Sequence, residues 1–111
     1  MDSEIYTWLF DIQTAIEEID QFLPEGNRVF ENYKADLKTR RAIERNLEII
    51  GEAVKRIIDK DLTVEIKHSR KIISLRNRII HGYDVISDEL VWGVIINDLP
   101  QLKEEIFRFF Q

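Results

Sequence analysis

Apolar residues recur every three or four positions through four long stretches of the chain, the spacing of an amphipathic helix. The first stretch runs from Ser3 to Leu23, with Ile5, Trp8, Leu9, Ile12, Ile16, Ile19, Phe22 and Leu23 on one stripe. Asp2 or Ser3 can cap it, and Pro24 with Gly26 ends it. Val29, Phe30 and Tyr33 predict a short helical turn that drops aromatic rings onto the core. A second long helix is predicted over 36–59, with Leu37, Ala42, Ile43, Leu47, Ile50, Ala53 or Val54, and Ile57 facing inward. Gly51 lies in its interior, where glycine costs about 1 kcal/mol relative to alanine. Close approach of another helix backbone is the expected compensation.

Residues 60–66 read as a connection. A third main helix carries Ile72, Ile73, Leu75, Ile79 and Ile80 and loosens at Gly82. Ser87 can cap the last helix, whose stripe is Leu90, Val91, Val94, Ile95, Leu99, Leu102, Ile106 and Phe109. Pro100 falls inside that stripe, which predicts a kink there or a break near Asp98. The expected fold is all-α: an antiparallel bundle of four to five helices, one domain over residues 1–111.

Composition narrows the chemistry. The 111 residues contain no Cys, which excludes disulfides, thiolate zinc sites and cysteine nucleophiles. His68 and His81 are too far apart for a histidine-pair metal motif, so neither a metal nor a cofactor is expected. No apolar run is long enough to span a bilayer, and Asp2 and Glu4 stand where a signal peptide carries positive charge. A soluble cytoplasmic protein with no membrane association is the expectation.

The net charge of −5 conceals a strong asymmetry. Residues 1–27 hold seven acids and no Lys or Arg, whereas residues 28–81 hold 14 bases against eight acids. Between Ile66 and Tyr83 there is no acid, while Lys67, Arg70, Lys71, Arg76 and Arg78 are basic. Such a local field can attract a polyanion, although solvated helix faces account for a charge run equally well.

The stretch Leu75-Arg76-Asn77-Arg78-Ile79-Ile80-His81-Gly82-Tyr83 gathers the side chains that bind phosphate and move protons. Asn77 and His81 share a helix face, but Arg76 and His81 diverge by about 140° on ideal geometry. One helix cannot easily clamp a small group between them. A second copy brought up by a two-fold axis could combine them in one cleft.

Arg76-Asn77-x-x-x-His81-x-Tyr83 resembles the Arg-x4-His-x-Tyr motif of the HEPN superfamily, in its HepT-like branch of small prokaryotic proteins. The stretch from Ala42 to Arg56, with Ile50-Gly51-Glu52-Ala53 at its centre, also resembles a helix of that branch. The stretch Ile66-Lys67-His68-Ser69 departs from it in lacking an aromatic residue before the motif helix. The resemblance implies a homodimer with the motif segments of two subunits facing each other, acting as a metal-independent endoribonuclease. It further implies a toxin paired with an MntA-like nucleotidyltransferase antitoxin, which can transfer AMP to the motif tyrosine, here Tyr83.

That implied activity is chemically coherent. Metal-free RNA cleavage needs a base for the 2′-hydroxyl proton, an acid for the leaving 5′-oxygen, and cationic donors for the phosphorane charge. An imidazole titrates near about 6.5, so His81 can serve as acid or base at neutral pH. Arg76 can offer paired donors to the phosphate, and Asn77 can fix the imidazole tautomer or hold an oxygen. Arg78, Lys71 and Arg70 are secondary candidates for RNA contact.

Each residue also has a plain structural reading. His81 could serve the helix C-terminus, Arg76 could pair with Glu48 or Glu52, Asn77 could be a buried polar group, and Tyr83 could close the core. Trp8, Trp92, Phe107, Phe109 and Phe110 suit a core or dimer contact better than base stacking. A competing function is a non-catalytic nucleotide-binding or scaffolding partner of a minimal nucleotidyltransferase. Retention of His81 favours the enzyme, since phosphate binding alone needs only the arginines.

Overall fold

The computed structural model describes residues 2–82 and 86–111, and among them helices are the only regular elements. Helix α1 spans Ser3–Phe22, α2 Phe30–Ala35, α3 Leu37–Lys60, α4 Ser69–His81, α5 Asp88–Gly93 and α6 Leu99–Phe109. The boundaries follow the cap chemistry. Asp2 accepts the Glu4 N–H at 2.7 Å, Asp36 accepts the Thr39 N–H at 3.1 Å, and Ser87 accepts the Leu90 N–H at 3.2 Å. At the far end of α1, Arg28 donates through Nε to the Leu23 carbonyl at 3.0 Å and through Nη2 to Asp20 at 2.9 Å. Helix α4 ends at Gly82, whose φ of 60° is the left-handed conformation that glycine adopts without a steric penalty.

Helix α3 is the centre of the bundle, packed against α1 on one side and α4 on the other, while α6 packs on α1. The predicted stripes supply the core: Ile5, Leu9, Ile12, Ile16 and Ile19 from α1 meet Ile43, Leu47, Ile50, Val54 and Ile57 from α3. Ala53 is buried as well as Val54, so both alternatives face inward. Three predicted core positions are exposed: Phe22, Leu37 and Ile80. Phe22 and Leu37 are terminal helix residues, where the chain turns away from the neighbouring helix. Phe107 and Phe110 are also exposed, which excludes the core alternative for them. Trp92 instead packs against Phe30 and Tyr33, with ring centroids 5.6 and 5.4 Å away. Tyr33 is buried, and burial followed by the nearby Glu44 and Asp88 carboxylates pushes its hydroxyl well above the usual phenol range.

Pro100 brings about a change of winding rather than a break. Between α5 and α6 the chain makes a π-helical turn, Val94–Asp98, in which the Leu99 N–H bonds to the Val94 carbonyl. Proline cannot donate to the carbonyl four residues back and its ring crowds that carbonyl, so the preceding turn widens. The widened turn contains Asp98, a buried carboxylate, and Lys71 Nζ of α4 lies 2.7 Å from its Oδ2. This ion pair ties the motif helix to the last helix.

Candidate active site

Arg76, Asn77 and His81 stand on the second half of α4, and that helix closely approaches Gly51 of α3. A Cβ added at Gly51 would lie 2.8 Å from Arg76 Cγ and 3.2 Å from the Ile72 carbonyl oxygen, and nearer still to Arg76 Cβ. The close approach expected at this glycine is present, and Arg76 is the residue that fills the space. No other side chain than hydrogen leaves room for it.

Arg76 is held from two sides. Its Nη2 donates to Glu52 Oε2, and its Nη1 donates to Asn77 Oδ1 at 2.8 Å. Of the two partners the sequence offered, Glu48 and Glu52, the structure selects Glu52. The other oxygen of the same carboxylate accepts Arg56 Nε at 3.1 Å. Nε of Arg76 is buried and has no hydrogen-bond partner among the described residues. The guanidinium keeps a second N–H on each terminal nitrogen, because each has donated only once.

These groups border a groove of about 330 Å³ between α1, α3 and α4, lined among others by Trp8, Ile49, Glu52, Arg56, Arg76 and Ile80. Trp8 is half-buried there, between core and solvent. Ile80, 42% exposed, extends the apolar rim. Asp11, Arg45 and Glu48 line it as well, so three arginines stand against three carboxylates beside the apolar Trp8, Ile49 and Ile80.

His81 is exposed at the last residue of α4. The helix is continuous from Ser69, so Arg76 and His81 point about 140° apart and Asn77 shares the histidine's face. The chain thus brings Arg76 and Asn77 into direct contact, with His81 set around the helix from Arg76. Tyr83 lies outside the described residues.

The secondary basic residues separate into two kinds. Lys71 is engaged by Asp98, whereas Arg70 and Arg78 are exposed on α4. His68 meets Gln101 at 3.2 Å and the Lys67 N–H donates to Glu105 at 3.0 Å, so the start of α4 is tied to α6. Sequence reasoning did not single out Arg56 or the role of Trp8 in the groove wall. The spacing held a signal for the first: Glu52 and Arg56 are one turn apart on α3, and Glu52 meets Arg76 of α4. Among the described residues no three His, Asp or Glu side chains converge as metal ligands, and no helix is long and apolar enough to cross a membrane.

Comparison with known proteins assigns the chain to a family. A candidate ribonuclease HepT of Thermococcus cleftensis is 40% identical over 98 residues, covering 86% of this chain and 86% of its own. A candidate RNase of Methanocaldococcus jannaschii is 34% identical over 107 residues, covering 93% and 84%. Another, from Caldanaerobacter subterraneus subsp. tengcongensis, is 34% identical over 86 residues, covering 74% of each chain. No solved structure matches the chain at a significant level. The family described as ribonuclease HepT-like matches residues 12–108, a span that includes α3 and α4. With its helical bundle and its motif on α4, the chain belongs to the HepT-like ribonuclease family.

Proposed function

We propose that this protein is a metal-independent endoribonuclease that acts as a homodimer in the cytoplasm. The observation that carries the reading is the fixed guanidinium of Arg76, held by Glu52 and Asn77 over Gly51 at the edge of a nucleotide-sized groove. An arginine so anchored loses little freedom when it meets a phosphate, which is the requirement for stabilising a phosphorane. His81 supplies proton transfer: it removes the 2′-hydroxyl proton, the 2′-oxygen attacks phosphorus, and the 5′-oxygen leaves with a proton from the second imidazole of the dimer or from water. The products are a 2′,3′-cyclic phosphate and a 5′-hydroxyl. Because the two groups diverge around α4, the cleft is composite, with the α4 helices of two copies facing each other. Arg70 and Arg78 add long-range attraction for RNA.

In this reading the protein is the toxin of a toxin–antitoxin pair, and an MntA-like nucleotidyltransferase silences it by transferring AMP to Tyr83. Tyr83 stands two residues beyond His81, so the added phosphodiester and nucleoside compete with substrate for Arg76 and fill the cleft. Expression of Arg76→Ala or His81→Ala should relieve growth arrest and abolish RNA cleavage while thermal unfolding stays cooperative. Full cleavage by either variant contradicts the assignment. Incubation with ATP and the nucleotidyltransferase should add the mass of AMP to Tyr83, and a Tyr83→Phe protein should escape silencing. Silencing of that variant would leave simple complex formation as the mode of control.

A further inference from the structure

The Glu52 carboxylate is shared between two arginines of unequal exposure. Arg76 is 21% exposed and anchored through both terminal nitrogens, whereas Arg56 is 57% exposed and anchored only through Nε. The terminal Nη1 and Nη2 groups of Arg56 have no partner among the described residues. A guanidinium tethered by Nε presents its two terminal amino groups as a preformed fork, the geometry that grips two oxygens of one phosphate. The Arg56–Glu52–Arg76 cluster carries two positive charges against one negative charge, while Arg45 on the same wall is paired with Glu48 and Asp11 adds a further carboxylate. Arg56 and Arg76 border the same groove, with Trp8 and Ile80 beside them.

We infer that Arg56 is a substrate-binding residue that grips the RNA phosphate adjacent to the scissile one, with Glu52 setting its distance from Arg76. This rests on the ribonuclease reading above, in which Arg76 takes the scissile phosphate. A nucleic-acid strand presents phosphates at a regular repeat, and two guanidinium groups on one carboxylate present donors at a fixed repeat. The pair therefore favours a chain with at least two consecutive phosphates over a dinucleotide with one. No covalent step is involved; the contribution is to substrate affinity and register.

The test compares wild type, Arg56→Ala and Arg56→Lys on oligoribonucleotides of the same scissile step with one, two or several phosphates. Cleavage is followed in chelator, and binding is measured separately on 2′-O-methyl analogues, which lack the nucleophile and stay intact. Arg56→Ala should raise KM about tenfold for substrates with two or more phosphates, the size of one charge-assisted contact at a half-exposed site. For the single-phosphate substrate KM should change less than twofold. Arg56→Lys should fall between, because it keeps the charge and loses the fork. The salt dependence of binding to the longest analogue should lose about 0.7 from its logarithmic slope in Arg56→Ala, the share of one phosphate on a single strand. An equal effect on one-phosphate and multi-phosphate ligands overturns the inference, as does no effect on either, or a change in oligomeric mass on light scattering. Length-dependent loss of binding in a protein that cleaves nothing would uphold the second phosphate contact and overturn the ribonuclease reading instead.

Discussion

Gly51 of α3 and Arg76 of α4 occupy the same space in turn: the hydrogen of one makes room for the side-chain stem of the other. A methyl group at Gly51 would lie 2.8 Å from Arg76 Cγ and closer to its Cβ, with the Ile72 carbonyl at 3.2 Å on the backbone side. The relationship explains a glycine in the interior of a 24-residue helix, where helix propensity alone disfavours it. It also joins stability to chemistry, because the residue that needs the space is the one placed at the groove.

Gly51→Ala tests that relationship. Propensity alone predicts a gain of about 1 kcal/mol for alanine in a helix interior. Overpacking against α4 costs about 1–3 kcal/mol, so a net loss is expected. Urea unfolding should show a lower midpoint with an unchanged slope, and RNA cleavage should fall at least tenfold as Arg76 shifts. A more stable protein would mean that α4 stands farther from α3 than described.

Lys71→Met separates a structural lysine from an RNA contact. Asp98 is buried, and losing its cation leaves a carboxylate inside the π-helical turn without compensation. Breaking a fully buried pair costs about 3–5 kcal/mol; with Lys71 itself 48% exposed, about 1–2 kcal/mol is expected. Calorimetry should record this loss while RNA affinity extrapolated to equal folded protein stays constant. Unchanged stability with weaker RNA binding would assign Lys71 to the substrate instead.

The acid limb of stability follows from the helix caps. The side-chain bond from Thr39, then the Thr39 N–H, holds the Asp36 carboxyl below its ordinary value, and the Glu4 N–H does the same for Asp2. A carboxyl that releases its proton more readily when folded adds stability above its unfolded value, near about pH 4, and loses it as pH falls through the lower folded value. Wild type should therefore exceed Asp36→Asn in melting temperature at neutral pH, with the gap closing below about pH 4. A gap that widens on acidification would contradict the cap assignment.

How much of this was legible in the sequence differs by element. The stripes of α1, α3 and the last helix were readable because each buries a continuous face, and Gly51 announced a close helix approach because nothing else justifies it. Asp2 and Ser87 were readable as caps because their side chains act on backbone within three residues. The π-helical turn was not: Pro100 signals a disturbance, but whether the helix kinks, breaks or widens is decided by packing around Val94 and Asp98. Pairs distant in sequence were equally hidden. Nothing local links Lys71 to Asp98 or Arg40 to Asp88, which meet at 3.4 Å across 48 residues. Arg76 could have chosen Glu48 or Glu52 one turn apart on α3; the crossing point at Gly51 selects Glu52.

The proposed composite cleft requires a dimer. Arg76 and His81 diverge around one helix, and Ile80 between them is exposed with no core role. Light scattering at micromolar concentration should give twice the monomer mass, and Ile80→Glu should shift the protein toward monomer with cleavage lost in parallel. A fully active monomer would remove the need for a second α4.

The most direct measurement is end-group analysis of RNA fragments made by the purified protein in chelator, with Arg76→Ala and His81→Ala run beside it. Wild type should leave 2′,3′-cyclic phosphate and 5′-hydroxyl ends. Each variant should lose about a hundredfold or more in rate, the scale of one transition-state donor, and the double variant should be little worse than either. Cleavage that requires magnesium, that leaves 5′-phosphate ends, or that persists in His81→Ala would contradict the account.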